Sequence, residues 1–371
     1  MAKIVYTVQH VTSASVATTI STSVLSMNIR QGREKYLDTY SGGSCTLTIN
    51  NNTDFASNIE YGDLINITGK VNTLTVYSMR FYVQQTTFND YPGNTGLSTA
   101  TIQCSDWLAN SGRINVTNLA LTQATTCDQF DQFVPYLPAK MVYNTSTVGA
   151  SIAAAQTYTG TILNYLNYLA MTERGLIYQT FATLVFIPRT SIEPPSSPTI
   201  GPTTSSTQIG YQTFNRYQNG QQFINTATTN PTGLAAQTST NSTSVSTYGP
   251  AFYSVSTVDY NTTQALGNSD WIANNFSDIS SLYFAVSFTD VMQNATALQD
   301  FIIGGINTRT LYYRPPGGSL TSLNVVPEGF ELNATPEQTT ISMTFSPLTY
   351  YQYFTLDSST LGILNTSRLG W

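Results

Sequence analysis

The chain has 371 residues and a formal net charge of −6, and 9% of its residues are charged, against about 25% in soluble domains. At roughly 100–200 residues per domain, this length predicts two or three domains. Three scattered cysteines are too few for a disulfide framework, and a histidine-based zinc site or a Ser-His-Asp triad would depend on the single histidine, His10. The negative charge argues against a surface that grips nucleic-acid phosphates.

The polar composition is compatible with two kinds of surface. Ser, Thr, Asn and Gln stand in for charged residues, and 24 tyrosines accompany them. Because interface centres are poor in charge and rich in aromatics, one interpretation is a chain built for assembly. The other is an extracellular β-rich protein with a hydroxyl-rich surface. We expect neither a cleavable targeting segment nor insertion into a membrane.

Alternation of apolar and hydroxyl residues predicts strands along most of the chain. The clearest examples have one apolar face and one polar face. Their apolar positions, in chain order, are Cys45, Leu47 and Ile49; Ala100, Ile102 and Cys104; Leu282, Phe284, Val286 and Phe288; and Ile341, Met343 and Phe345.

Two helices are predicted among the strands. Residues 161–174 carry apolar side chains at helical spacing, with Gly175 placed as a left-handed C-terminal cap. Residues 294–303 form the second, which Asn294 or Asp290 can cap at its start and Gly304-Gly305 ends. Both are interpreted as packing helices.

Composition also divides the chain. Residues 191–250 lie in a Ser/Thr/Pro-rich stretch with interspersed aromatics, which predicts an extended crossing segment with one or two strands. Residues 1–113 are then an N-terminal β module, 114–190 an intervening α+β domain, and 251–371 a C-terminal β module with an aromatic tail.

The two outer parts show a weak internal repeat in the order of their segments. In the first, residues 62–68 and 79–83 precede a turn at Pro92-Gly93 and the strand 99–105. In the second, residues 309–313 and 323–330, separated by a Pro315-Pro316 turn, precede the strand 340–346. This internal repeat predicts two related modules.

Candidate sites for chemistry are few. Glu328 and Glu331 could be a glycosidase pair, but at this spacing on a strand we expect them to face opposite sides. Asp128 and Asp131 beside Cys127 favour a capped turn over a metal site. No phosphate-binding loop or dinucleotide motif is present in the sequence.

Two surface features carry alternatives. The basic cluster Arg30, Arg33 and Lys35 could pair with acidic groups of a neighbouring subunit, or be a solvated strand end. The aromatic run 348–354 could be a sugar-binding patch, although a strand packed in a subunit interface is favoured because so many exposed aromatics would promote aggregation.

Short motifs along nearly the whole chain resemble the tail-hub or minor tail proteins of tailed bacteriophages, which are relatives of the baseplate hub. Within residues 188–247 the sequence departs from the family pattern, because Ser/Thr-rich sequence replaces the usual charged residues. The motifs are residues 26–33, 37–38, 42–51, 62–63, 103–108, 112–113, 163–178, 184–189, 244–249, 328–330, 346–347, 353–357, 361–362 and 369–371.

The resemblance implies a mainly β fold with a few helices, in which two related tail-tube-like β-barrel modules flank small intervening α+β domains. It implies a homotrimeric ring at the tail tip or baseplate of a virion assembled in the bacterial cytoplasm. Two barrels in each of three chains would match the sixfold tail tube. Interface candidates are Arg30, Gly32, Arg33, Asp38, Gly43, Asp106, Tyr248, Gly249, Pro315, Pro316, Gly329, Tyr353 and Phe354.

The resemblance also implies partners: a distal tail or tail tube hexamer, a tape measure protein, and tail fibre or spike proteins. Genomic DNA would pass through without specific binding, which suits an acidic, lysine-poor wall. We expect no catalysis, metal or cofactor. A carbohydrate-binding adhesin or receptor-binding tail protein is the alternative, and a glycan-degrading tail enzyme is a third.

Overall fold

The computed structural model describes residues 2–136, 142–145, 149, 151–180, 183–192, 194–218, 223–278, 282–304 and 307–351. Its first elements are β1 Ile4–Val11, β2 Ala17–Thr19, β3 Val24–Gly32, β4 Ser44–Asn50, β5 Leu64–Val71, β6 Leu74–Asn89, β7 Thr99–Ser105 and α1 Trp107–Ser111. The following elements are β8 Asn115–Leu121, β9 Ala124–Thr125, α2 Thr126–Asp131, β10 Val142–Thr145, β11 Ile152–Ala153, β12 Gln156–Thr161, α3 Ile162–Glu173, β13 Leu176–Thr180 and β14 Thr183–Ile187.

The remaining elements include two further long helices. They are β15 Thr199–Gly201, β16 Gln208–Gly210, β17 Thr213–Gln218, β18 Thr226–Pro231, β19 Gln237–Thr240, α4 Ser242–Tyr248, β20 Phe252–Thr257, α5 Thr262–Asn275, β21 Leu282–Thr289, α6 Ala295–Ile303, β22 Arg309–Tyr313, β23 Thr321–Ala334 and β24 Thr339–Pro347. No helix among the described residues is long and apolar enough to cross a membrane.

Strands β1–β7 form an antiparallel sheet in the order β3-β4-β7-β6-β5-β1-β2, which we call the N-terminal module. Its strands alternate buried and partly exposed residues, as expected for a sheet with one face on a core. On the core face, Leu47 lies opposite Ile102, and both are fully buried. The predicted strands at residues 44–50 and 99–105 are confirmed.

Strands β15–β17 and β21–β24 form the C-terminal module, in the order β17-β21-β24-β23-β22-β15-β16. Position by position, this is the strand order of the N-terminal module. The segments of the predicted internal repeat are β5, β6 and β7 in one module and β22, β23 and β24 in the other. One difference is that β15 runs parallel to β22, whereas β1 runs antiparallel to β5. The prediction of two related modules is confirmed.

The modules also share a β-bulge. In β6 the register against β7 shifts between Val83 and Gln85, which leaves Gln84 as the extra residue. In β23 the register against β24 shifts between Pro327 and Gly329, which leaves Glu328. Because bulges bend a strand at a set position, this shared break fixes which residues of the two modules correspond.

The modules join through one strand pair. Residues 329–334 of β23 pair antiparallel with residues 27–32 of β3, in addition to pairing with β24. This β3–β23 pairing, which we call the seam, makes one 14-stranded sheet of both modules. Residues about 300 positions apart in the sequence thus hold the two ends of the chain together.

The intervening elements form a second core. A three-stranded sheet, β19-β18-β20, packs against α5, and β10-β14-β13 forms another sheet beside α2 and α3. Their apolar side chains join those of the loop that follows β3. Members of this core include Tyr36, Trp107, Phe130, Tyr165, Leu166, Phe186, Trp271, Phe276 and Tyr350.

Several predictions about elements need correction. Residues 191–250 contain five strands and helix α4 rather than one or two strands, and β15–β17 pair within the C-terminal module. Helix α5 escaped prediction because its buried face includes Asn268 and Ser269, so it lacks an apolar stripe. Helix α3 agrees with prediction, but Arg174, at φ 58°, takes the left-handed position expected of Gly175.

Candidate functional site at the seam between the modules

The seam brings two glycines face to face. Gly32 ends the paired part of β3 at φ +85° and lies opposite Gly329, which follows the bulge of β23. A Cβ on Gly32 would lie 2.2 Å from the Glu328 carbonyl oxygen, and one on Gly329 would lie 2.6 Å from the Arg33 carbonyl oxygen. Both positions therefore need glycine for the backbones to approach.

Next to the glycines, a buried ion pair crosses between the modules. Arg33 Nε lies 2.7 Å from Glu328 Oε2, and the two side chains are 2% and 0% exposed. The Arg33 backbone N–H also donates to the Glu328 carbonyl oxygen at 2.9 Å. The bulge places Glu328 for this contact, because the extra residue leaves the regular alternation of the strand.

Aromatic side chains enclose the pair. The Arg33 guanidinium lies over the rings of Tyr36 and Tyr40, 4.9 and 4.6 Å from their centroids. It also donates to the Tyr351 hydroxyl at 3.1 Å, and that hydroxyl donates to Glu328 Oε1 at 2.6 Å. Each polar atom of the carboxylate thus has a partner.

The electrostatics of the pair follow from burial. Burial by itself lowers the pKa of Arg33, but Glu328 and the surrounding tyrosines together outweigh burial and leave that pKa well above its ordinary value. Burial raises the pKa of the Tyr351 hydroxyl, and the carboxylate of Glu328 adds to the effect. The cluster therefore holds a cation and neutral tyrosines across the ordinary pH range, which suits a fixed joint between modules.

On the outer face of the seam the side chains are exposed and polar. Arg30 lies 3.7 Å from Glu331 at its directly opposite position, and Asn28 donates from Nδ2 to Asn333 Oδ1 at 2.6 Å. The predicted basic cluster is therefore divided. Arg30 and Arg33 find their acidic partners within the same chain, and Lys35 lies over the Tyr283 ring.

Glu328 and Glu331 differ in environment, as expected. Glu328 is buried in the ion pair, whereas the side chain of Glu331 is 38% exposed on the outer face. Glu328 is therefore placed to hold Arg33 rather than to reach a sugar. Asp128 fits its predicted turn, where it accepts from the Thr125 hydroxyl at the start of α2.

A second group of predicted residues lies beside the seam. Asp106 caps α1, accepting from the Ala109 N–H at 2.8 Å, and its backbone N–H donates to the Gly43 carbonyl at 2.9 Å. Burial raises the pKa of Asp106 to about 6, although hydrogen bonds from backbone N–H groups lower it. Asp38 accepts from the Lys35 N–H in the loop after β3.

The other predicted interface residues are not part of these seam contacts. Tyr248 ends α4, half exposed, with its ring against Phe223, and Gly249 follows at φ +81°. Pro315 and Pro316 lie in the turn after β22, where the Gly318 N–H donates to the Pro315 carbonyl. Tyr353 and Phe354 lie outside the described residues.

The structure corrects the interpretation of the aromatic run. Its described part, Leu348–Tyr350, is a short 3-10 helix and not a strand, and Tyr351 follows it. Leu348, Tyr350 and Tyr351 are buried in the chain's own second core, where the rings of Tyr350 and Tyr36 make an edge-to-face contact. Neither a sugar patch nor an interface strand fits these buried positions.

Sequence reasoning missed the tyrosines that enclose the ion pair. Tyr36, Tyr40 and Tyr351 carry no local motif, because their role depends on contacts between distant segments. His10, the residue on which a triad would depend, is buried against Asp63, with Nε2 to Oδ2 at 2.7 Å. No group of three or more metal-ligating side chains occurs among the described residues.

The fold of the chain, a two-module sheet with an intervening α+β part, is similar to that of solved phage tail proteins. The chain is similar to a tail protein from Neisseria meningitidis, with a TM-score of 0.63, 10% identity and coverage of 93% of this chain and 96% of that one. It is also similar to a 43 kDa prophage tail protein from Shewanella oneidensis, with a TM-score of 0.57, 12% identity and coverage of 95% and 98%.

A further similar structure extends the comparison beyond phage. It is an Escherichia coli component of the type VI secretion system, described as structurally similar to bacteriophage T4 tail proteins, with a TM-score of 0.51, 8% identity and coverage of 88% of this chain and 73% of that one. No family model matches the sequence, and no curated protein matches it. At these identities the likeness shows the fold.

Proposed function

We propose that the chain is a structural virion protein that forms a homotrimeric hub at the tail tip or baseplate. The observation that carries this proposal is the repeat of one strand order, with one bulge, in two modules of the same chain. Three such chains present six similar faces, and six faces can continue a hexameric tail tube, whereas three unlike faces leave half of the contacts unmatched.

The proposed partners follow from this position. The ring would contact the distal tail or tail tube hexamer and the tape measure protein on one side, and tail fibres or a spike on the other. Genomic DNA would cross its lumen during ejection. A chain with 14 Lys and Arg against 20 Asp and Glu suits such passage, because clustered cations would hold the phosphates.

Two measurements test the proposal. Light scattering of the purified chain is expected to give about three times the 40.5 kDa mass of one chain. In electron micrographs, an antibody to the chain is expected to label the end of the virion tail away from the head. Label along the tube or on the head, or a chain that stays monomeric at high concentration, contradicts the hub.

A further inference from the structure

Among the open strand edges in the described part of the chain, one in each module lies where the other module would be expected to pair. Beyond Tyr82, β6 pairs with β7 on one side, and the other side of residues 85–89 is open. Among the described strands, β17 pairs only with β21. Gln85 and Asn89 are exposed, as are Asn215 and Arg216. Neither open edge carries a proline or lysine, the usual protection against pairing.

These open edges correspond to the two strands of the seam. Counting from the shared bulge, residues 85–89 of β6 take the place of residues 329–333 of β23. In the strand order of the modules, β17 takes the place of β3. Within the described part of one chain, the C-terminal module thus pairs its β23 edge with β3, while the equivalent β6 edge and β17 both lack a strand partner.

The correspondence extends to side chains. In the seam, Asn28 and Asn333 lie opposite each other and are hydrogen-bonded at 2.6 Å. Asn333 is the fifth residue after the bulged Glu328, and Asn89 is the fifth after the bulged Gln84. The open β6 edge therefore carries, at Asn89, the asparagine that the seam uses on β23.

Strand β17 does match. Asn28 lies opposite Thr46, one residue before Leu47, and Asn215 lies opposite Ala285, one residue before Val286. Leu47 and Val286 occupy the same core position, opposite Ile102 and Met343 respectively. The same correspondence holds along both strand pairs: Cys45, Leu47 and Ile49 face Cys104, Ile102 and Ala100, as Phe284, Val286 and Phe288 face Phe345, Met343 and Ile341.

We propose that residues 85–89 of β6 in one copy of the chain pair antiparallel with β17 of a second copy, in the register of the seam. Asn89 then lies opposite Asn215, and Phe88 lies opposite Arg216. The contact repeats between chains the pairing that already joins the modules within one chain. This contact specifies how copies of the proposed hub would meet. The closure of the ring at three copies rests on the proposed function.

The physical gain of this contact comes from both strands. Residues 85–89 and 213–218 have backbone groups on their open side that the pairing would satisfy. Phe88 is 42% exposed and would come next to Arg216, which already lies over the Tyr313 ring at 5.9 Å. Since one copy offers each edge once, the contact is heterologous and builds a ring when its rotation closes.

Cysteine cross-linking tests the register. In the double variant Asn89→Cys with Asn215→Cys, mild oxidation is expected to link copies covalently, giving a closed three-chain species in denaturing electrophoresis. The matched control, Asn28→Cys with Asn333→Cys, is expected to cross-link within one chain and keep the mass of a monomer. The native cysteines Cys45, Cys104 and Cys127 are buried, which keeps the background low.

Charge variants provide the second arm. Asn89→Glu with Asn215→Glu places like charges opposite each other and is expected to weaken assembly at least tenfold. Asn89→Lys with Asn215→Glu is expected to restore it. If the chain forms a trimer without the cysteine link, and the paired glutamates leave its assembly unchanged, this contact is overturned but the hub is not. Linked species of another copy number uphold the contact and overturn the threefold hub, and a monomer without links overturns both.

Discussion

The buried Arg33–Glu328 pair shows how one residue out of alternation can join two modules. At the bulge, Glu328 leaves the sheet's regular pattern and contacts Arg33, the residue that follows β3 and lies about 300 positions earlier in the sequence. Buried pairs add little over a hydrophobic replacement, but breaking one leaves an uncompensated charge. The pair therefore acts mainly to specify which strands meet.

This asymmetry gives a first prediction. Glu328→Gln is expected to lower the free energy of unfolding by about 3–5 kcal/mol, because Arg33 stays charged without its partner. Glu331→Gln, on the same strand but exposed, is expected to cost less than about 1 kcal/mol. Urea unfolding of both variants measures the difference. Equal effects of the two substitutions would show that Glu328 has no special electrostatic role.

Asp106 gives a prediction about pH. Its pKa is about 6 in the fold, above the roughly 3.9 of an unfolded aspartate, so the folded state binds the proton more tightly. Stability contributed by the protonated form is present below about pH 4 and is lost as pH rises through about 6. Over that window the loss is on the order of 3 kcal/mol.

The variant Asp106→Asn isolates this effect, since asparagine also caps a helix and does not titrate. The wild-type free energy of unfolding, relative to that of the variant, is expected to fall between about pH 4 and pH 6. Urea unfolding of both proteins across this range is the measurement. A difference that stays constant with pH, or that rises, is incompatible with the raised pKa of this carboxyl group.

At the scale of elements, glycine at the seam can be tested against a matched glycine. Gly32 and Gly62 have φ values of +85° and +86°. A Cβ added to Gly32 would lie 2.2 Å from the Glu328 carbonyl oxygen, whereas a Cβ added to Gly62 would have no neighbouring atom within 4 Å. Gly62→Ala is expected to cost about 1–2 kcal/mol for the left-handed backbone alone. Gly32→Ala is expected to cost clearly more.

Thermal unfolding of the two alanine variants compares these costs. A larger drop in the midpoint for Gly32→Ala reports the steric separation of β3 from β23, because the backbone strain is common to both. Similar drops would mean that the seam can open by the required distance without loss, and that close backbone approach is not what Gly32 provides.

The elements also show what sequence could predict. Period-two alternation identified β4, β7, β21 and β24, and helical spacing identified α3 and α6, because each has a continuous apolar face. Helix α5 was missed, since it packs through Asn268 and Ser269 as well as apolar residues. Short strands such as β15 and β16 leave too few residues for any pattern.

The candidate site was predictable in its glycines and Arg33 but not in its contacts. A Glu-Gly turn at residues 328–329 and a Gly-Arg at residues 32–33 stand out in the sequence, and the structure places them together. Their pairing is a matter of tertiary register, which local patterns do not encode. The same holds for Tyr36 and Tyr351, whose contacts come from three segments far apart in the chain.

At the scale of the whole molecule, the repeated strand order makes assembly an extension of folding. One chain contains one complete seam and the two halves of another. Outward N–H groups on alternate residues of an edge strand exchange quickly when they face water. Assembly through β6 and β17 should therefore change exchange at these edges more than elsewhere.

Hydrogen exchange measures this change. In the assembled chain, residues 85–89 and 213–218 are expected to exchange at least tenfold more slowly than in the Asn89→Glu, Asn215→Glu variant, measured at a concentration where that variant is expected to be dissociated. Strand β19, the edge of the separate β19-β18-β20 sheet, serves as the internal reference and is expected to exchange equally in both. Protection confined to β19, or spread evenly over all edges, would place the contact between copies on another surface. Protection at β6 and β17 together would show that the chain completes between copies the pairing it makes once within itself.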